Sequence, residues 1–241
     1  RPTAAAPGPA GPGGPAAEEP AAKEAVADVD ADVTMELWNA DGGRAETSGN
    51  GLRCLARALI DAGAVPPGPV RVRTDAGVSV VRPHPDGRLS AEMGAADVDP
   101  GSWPDELLLR SGTEPVVVGD RRHLRVDMGN PHLVVEVEDP AKVELTEGAP
   151  GLRDLNVEVV AAGPGPDELS MRVWERGVGE TAACGTGSCA AAVAAHRWGL
   201  VGERVTVHQP GGALDVELLP DGSIRLVGPA DLVATVEVPW P

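Results

Sequence analysis

Apolar and polar positions along the chain fall into a pattern that runs twice. Residues 52–63, LRCLARALIDAG, and 188–199, SCAAAVAAHRWG, each predict an Ala-rich helix closing on a glycine suited to a helix C-terminus. A β-patterned run follows each, VRVRTDAGVSVV at 70–81 and VTVHQPGGALDV at 205–216. Pro85-Asp86-Gly87 and Pro220-Asp221-Gly222, at an offset of 135, then predict one hairpin turn per half. A Gly-rich turn precedes each helix, TSGNG at 47–51 and ACGTG at 183–187. Gly49 matches Gly185, Gly51 matches Gly187 and Trp38 matches Trp174, all at an offset of 136, and Ser48 takes the slot that Cys184 takes. The repeated order of turn, helix, strand, hairpin and strand predicts two homologous α+β halves, over 31–118 and 119–230, with 231–241 returning to the first half.

The flanks depart from the repeat. Of the first 22 positions, 18 are Pro, Ala or Gly, so residues 1–30 bury little and are expected to be disordered. The strand-like run MGNPHLVVEV at 128–137 carries an Asn and a His at its head, and at the same offset its counterpart falls before residue 1. The first half is therefore expected to lack an N-terminal strand. Glu-rich stretches such as EVEDPAKVELTEG (136–148) predict solvated loops.

A net charge of −17 argues against nucleic acid or an anionic membrane as partner, because both need a basic face. An anionic substrate must then be held by local donors rather than by the global field. No apolar run approaches the ~18 residues of a membrane span, and residues 1–30 lack the charged start and apolar core of a signal peptide. Three cysteines suit a reducing compartment better than a disulfide framework, so the cytoplasm is expected. Five Trp with neither Phe nor Tyr reflect a compositional bias and change nothing functional.

The two turns carry the chemistry. A Gly-rich turn opening a helix presents unpaired N–H groups at the positive end of the helix dipole, which suits a carboxylate and any negative charge developing on it. A Cys at its mouth is expected to have a lowered pKa and an accessible thiolate. Two such turns facing one another would grip a small carbon acid from both sides, removing a proton from one face and returning it to the other. The helix ends would stabilise the enolate-like charge, with no cofactor required.

NADGGRAETSGNGLRC (39–54), GNPH (129–132), LNVEVV (155–160) and ERGVGETAACGTGSC (175–189) together resemble the diaminopimelate epimerases. QPGGALDVELLPDGSIRLVGPA (209–230) is similar to that family's closing strands, and the resemblance spans roughly residues 33–238. It implies an α+β fold of two pseudo-symmetric halves, each a mixed β-sheet or barrel wrapped around a central α-helix, with the active site between them and a homodimer as assembly. The implied reaction is the cofactor-independent interconversion of LL- and meso-2,6-diaminopimelate, on the route to lysine and peptidoglycan, with no metal.

By the same resemblance Cys184 is one of two acid/base thiols. Gly185 and Thr186, with Gly49 and Asn50, hold the reacting carboxylate. Asn39, Asn130 and Asn156 bind polar ends of the substrate, Glu175 and Arg176 read its distal end, and His132 and Glu175 tune the thiols. Two departures stand out. Ser48 replaces the family's other catalytic Cys and is far harder to deprotonate, so it is expected to donate or relay a proton to a carbanion formed by Cys184. In addition, nothing in residues 1–37 matches the strand with which the family opens.

Other readings compete. Gly185–Ala190 matches G-x-G-x-x-A, the dinucleotide fingerprint, but ERGVGETAA before it is no buried strand. No Walker Lys follows either turn, and Cys184, Cys189, His196 and His208 lack zinc-finger spacing. His84, His123, His196 and His208 read as surface or helix-end residues, and Cys54 and Cys189 as small core residues of the two helices. Taken alone, Asn39 and Asn156 suit a turn or cap. Alternative functions on the same scaffold are a dehydratase or isomerase of a hydroxyproline-like substrate, or a degenerate copy that binds without turnover or only pairs with an intact subunit.

Overall fold

The computed structural model describes residues 30–39, 42–98, 108–111, 114–145 and 155–237. Nearly all of the Pro/Ala/Gly-rich segment, residues 1–29, lies outside them. The first half comprises β1 (Val33–Thr34), β2 (Leu37–Trp38), β3 (Arg44–Ala45), α1 (Gly49–Asp61), β4 (Val70–Thr74), β5 (Gly77–Pro83) and β6 (Leu89–Ala95). After β7 (Leu108–Ser111) and β8 (Glu114–Val117) come β9 (His123–Asp127), β10 (Pro131–Glu136), β11 (Val143–Glu144), β12 (Asn156–Ala162), β13 (Glu168–Glu175) and β14 (Gly179–Thr181). The chain then forms α2 (Gly185–Arg197), β15 (Arg204–Gln209), β16 (Gly212–Leu218) and β17 (Ser223–Gly228).

One twelve-stranded mixed sheet carries both halves, in the order β1-β4-β5-β6-β17-β16-β15-β13-β12-β10-β9, with β14 against β13. The sequence repeat reappears as a repeat of register. The parallel pair β1–β4 sets Val33 opposite Val72, and the parallel pair β13–β15 sets Leu169 opposite Val207. The antiparallel ribbons β4-β5-β6 and β15-β16-β17 correspond, and β6 pairs with β17 to join the halves. Reciprocal backbone hydrogen bonds between Asp97 and Asp127 bring β9 back to the end of β6, closing a ring of strands around α2.

That ring explains why α2 has no polar face. Every residue from Gly185 to Ala195 is buried, and a helix of Gly, Ala, Ser, Cys, Thr and a single Val is slim enough to be surrounded on all sides. By contrast, α1 lays Leu52 and Ala56 on β5 and β6 and turns an outer face to solvent. Cys54, expected in the core, is exposed on that face, because two residues past Leu52 is over half a turn around the helix. Cys189 is buried, as expected.

Both helices begin three residues earlier than their apolar pattern suggests. Capping at Ser48 and Cys184 makes the Gly-rich turn itself the first helical turn, whatever the weak helix propensity of glycine. They end where Gly63 (φ 65°) and Gly199 (φ 73°) adopt left-handed backbone. Each β-patterned run proves to be two strands, because Gly77 (φ 121°) and Gly212 (φ 127°) let the chain reverse there. Gly87 and Gly222 form the two predicted hairpin turns. Of the stretch at 136–148, residues 146–148 lie outside the described residues, and the rest is only partly a solvated loop. Its Val137, Val143 and Leu145 pack with Leu109, Leu133 and Val157, and Val143–Glu144 pairs with β7, because alternate apolar positions outweigh the local charge.

The heads of the two helices abut. A Cβ on Gly185 would lie 3.1 Å from the Cα of Gly49 and 3.3 Å from the backbone N of Asn50. Gly185→Ala is therefore expected to force the helix ends apart and to lower stability by about 1–3 kcal/mol, read by denaturant unfolding. An unchanged midpoint would show that the contact is slack.

Candidate active site

Ser48 and Cys184 occupy equivalent positions as N-caps of α1 and α2. Both are extended, with φ −148°, ψ 118° and φ −126°, ψ 121°. Ser48 Oγ accepts the N–H of Gly51 at 3.1 Å, and Cys184 Sγ accepts the N–H of Gly187 at 3.4 Å. Serine is the better cap, so Ser48 maintains the turn locally whatever else it does. The two residues line one cleft of about 200 Å³ between the halves, together with Gly49, Asn50, Gly185 and Thr186. The free N–H groups of two helix heads thus converge on one space, which is a site for an anion.

The structure gathers nearly all the remaining sequence candidates around this cleft. Asn39, Asn130, Asn156, Glu175 and Arg176 line it, whereas His132 lies fully buried behind Asn130, with Nε2 3.0 Å from Asn130 Oδ1. Asn130 Nδ2 lies 3.5 Å from Thr186 Oγ1, and Thr186 Oγ1 lies 3.4 Å from Cys184 Sγ. Asn156 is already partly committed: its amide donates to the carbonyl of Pro131 and accepts from the N–H of Arg176. One N–H and one lone pair of that side chain remain for the cleft. Glu175 accepts a hydrogen bond from Thr181.

Three further residues escaped the sequence reading. Glu158 is fully buried, 2.7 Å from His132 Nδ1, and occupies the space where a Cβ on Gly187 would fall. A lone acid inside the apolar run LNVEVV was the available signal. Gln209 accepts the N–H of Cys184 at 2.8 Å and donates to Ser188, whose hydroxyl donates to the Cys184 carbonyl, so the thiol's backbone is clamped on both sides. Glu46 pairs with Arg176 at 3.3 Å across the cleft. That pair is over a third exposed and worth under about 1 kcal/mol, so an entering carboxylate can compete for the guanidinium. No signal in the sequence marked Gln209 or Glu46.

The expectation of an acidified, accessible thiol is overturned. Burial pushes Cys184 well above the usual thiol range, and Glu175 and Glu158 push it further. The Thr186 and Gly187 hydrogen bonds oppose the rise without cancelling it. Loss of water and two neighbouring carboxyls outweigh the helix end. Burial likewise raises Glu158, with His132 pulling it back. Among the described residues, no group of three His, Cys, Asp or Glu side chains is arranged to hold a metal ion, and no helix is long and apolar enough to cross a membrane.

The family model for diaminopimelate epimerase matches residues 22–98 and 124–233. A diaminopimelate epimerase of Halorhodospira halophila is 38% identical over 231 residues, covering 90% of this chain and 79% of that protein. One from Synechococcus elongatus is 40% identical over 216 residues, covering 83% and 76%. Two solved structures share the fold at low identity. A PhzF-family phenazine biosynthesis protein from Bacillus anthracis aligns with TM-score 0.62 at 14% identity, over 83% of this chain and 78% of that one. An epimerase assigned by prediction from Pseudomonas aeruginosa aligns with TM-score 0.60 at 18%, over 86% and 81%.

The buried thiols make stability pH-dependent. A thiol whose pKa is raised on folding, as for Cys184 and for Cys189 at about 12, contributes stability that is complete below the unfolded value. That contribution is lost as pH rises through the folded value. Unfolding free energy should thus decline from about pH 8.5 toward pH 12, and Cys189→Ala should flatten the decline. Alkylation of Cys184 should be slow at pH 7 and accelerate across the same interval. Rapid labelling at pH 7 would contradict the assigned environment.

Proposed function

The chain belongs to the diaminopimelate epimerase family, and we propose that it interconverts LL- and meso-2,6-diaminopimelate by acid/base transfer at one α-carbon. The observation that carries this reading is the shared cleft, in which two matched helix heads present Cys184 and Ser48 together. The reacting α-carboxylate lies on the N–H groups of Gly49, Asn50, Gly185 and Thr186. Asn39, Asn130 and Asn156 bind polar groups of the substrate, and Glu175 with Arg176 reads the distal amino-acid end, Arg176 as a fork to its carboxylate.

Cys184, as thiolate, takes the α-proton. The electron pair spreads onto the carboxylate, where two helix ends and their N–H groups stabilise it. Ser48, or a water that it positions, returns a proton on the opposite face and is reprotonated from solvent, while Cys184 releases its proton to solvent. Glu175 and His132 bias the thiol's proton. Formation of the thiolate is costly in this setting, so turnover rises with pH. In the reverse direction the Ser48 face must supply the base, and an alkoxide or hydroxide is far harder to form than a thiolate, so exchange is slow on that face and the enzyme is asymmetric between its two substrates. No cofactor enters this scheme. A homodimer and a cytoplasmic location accompany the reading.

Ser48→Cys should raise turnover by about 10²-fold by supplying a second thiol, and Cys184→Ser should reduce it at least as much. In deuterated water, wild-type exchange should be fast from one stereoisomer and slow from the other. Equal rapid exchange from both would refute the asymmetric mechanism. Calorimetric binding of meso-diaminopimelate with no exchange from either isomer would indicate a binding-only protein instead.

A further inference from the structure

Arg53 lies one turn into α1 and is 3% exposed. Its guanidinium donates to the carbonyl of Gly49 at 3.1 Å, to Oδ1 of Asn50 at 2.9 Å and to the carbonyl of Pro229 at 3.4 Å. All three acceptors are neutral. Burial lowers its pKa, opposed by the thiols of Cys54 and Cys189. Gly228 leaves the room it needs, since a Cβ there would stand 3.1 Å from Nη2. The repeat offers no counterpart: at the 136 offset, position 53 matches Cys189, an uncharged neighbour on α2. A buried cation held only by neutral oxygens costs stability relative to an apolar residue of the same size.

We infer that Arg53 is a positioning residue that locks the side-chain amide of Asn50 and backs the paired helix heads with a fixed positive charge. The inference rests on Asn50 being part of the carboxylate cradle, as proposed above. Arginine is a donor only, so Oδ1 of Asn50 must face it. Nδ2 of Asn50 is thereby turned the other way, toward the carbonyl of Ala183 at 3.4 Å and toward the cleft that Asn50 lines. The same fork grips the Gly49 carbonyl, so the first turn of α1 cannot roll away from Cys184. A planar fork can hold both Gly49 and Asn50, which a lysine ammonium cannot do with the same geometry. The cation sits one turn behind N–H groups that already favour an anion, and burial leaves its field weakly screened.

A double-mutant cycle tests the role. Arg53→Met and Arg53→Lys should each lower kcat/KM for diaminopimelate about tenfold or more, chiefly through KM. In an Asn50→Ala background Arg53→Lys, which keeps the charge, should add no more than about twofold, and Arg53→Met should add less than its full effect, because residues acting through one another are non-additive. Thermal melts of the same proteins separate this from loss of fold, and Arg53→Lys carries the cycle should Arg53→Met fail to fold. Full multiplication of the two effects, or an unchanged kcat/KM in both Arg53 variants, would overturn the inference. Hydrogen exchange of the Asn50 side-chain amide, followed by NMR, needs no turnover: protection should be lost in Arg53→Met. Retained protection would equally overturn it. Absence of diaminopimelate binding by the wild type would instead count against the proposed function.

Discussion

The rest of the molecule depends on the contact between two helix heads. Gly49 and Gly185 meet under the side chain of Leu226: a Cβ on Gly185 would stand 3.1 Å from the Cα of Gly49, and a Cβ on Gly49 would run into Leu226 at 2.5 Å. That contact brings two sets of unpaired N–H groups, normally satisfied by water or caps, into one small space. Each helix dipole opposes the approach of the other's positive end. The arrangement is stable because the ring of strands holds α2, because β6 pairs with β17, and because each helix is capped by its own Ser48 or Cys184. An anion entering the cleft relieves the repulsion, so the resting fold stores a preference for negative charge.

Around that centre the protein sets opposing electrostatic demands. Positive helix ends and the buried Arg53 favour an anionic ligand. The carboxyls of Glu158 and Glu175 and the loss of water keep the Cys184 thiol protonated. Nδ1 of His132 and Oε1 of Glu158 lie 2.7 Å apart with both side chains fully buried, an arrangement that costs desolvation. A thiol that resists ionisation gives a strongly basic thiolate once formed. That is an advantage for removing a weakly acidic α-proton, at the expense of the fraction of enzyme ready to do so.

Much of this was legible in the linear chain, for reasons that are local. Helix caps, glycine at left-handed C-termini and hairpin turns depend on residues within a few positions, so α1, α2 and the turns at Gly87 and Gly222 follow from short stretches. The 136-residue offset carried more, because duplicated sequence folds to duplicated geometry; the matching registers at Val33 and Leu169, found only in the structure, share that offset. The two Gly-rich turns stood out by their spacing, whereas the other cleft residues, from Asn39 to Arg176, came only from likeness to a family.

What the sequence by itself determined was therefore the repeated elements, their class and the roll of polar residues that assemble between the halves. Tertiary structure alone decided the environments. Cys54 is exposed and Cys189 buried although both sit on corresponding helices, because only α2 is surrounded by strands. The Cys184 thiol is pushed toward its protonated form rather than activated, because burial removes water from it and the charges of Glu175 and Glu158, on β13 and β12, act in the same direction. Arg53, Glu158 and Gln209 acquire their partners across 176, 26 and 25 residues of chain. Burial and charge are sums over neighbours in space, and neighbours in space are what a single line of residues does not record.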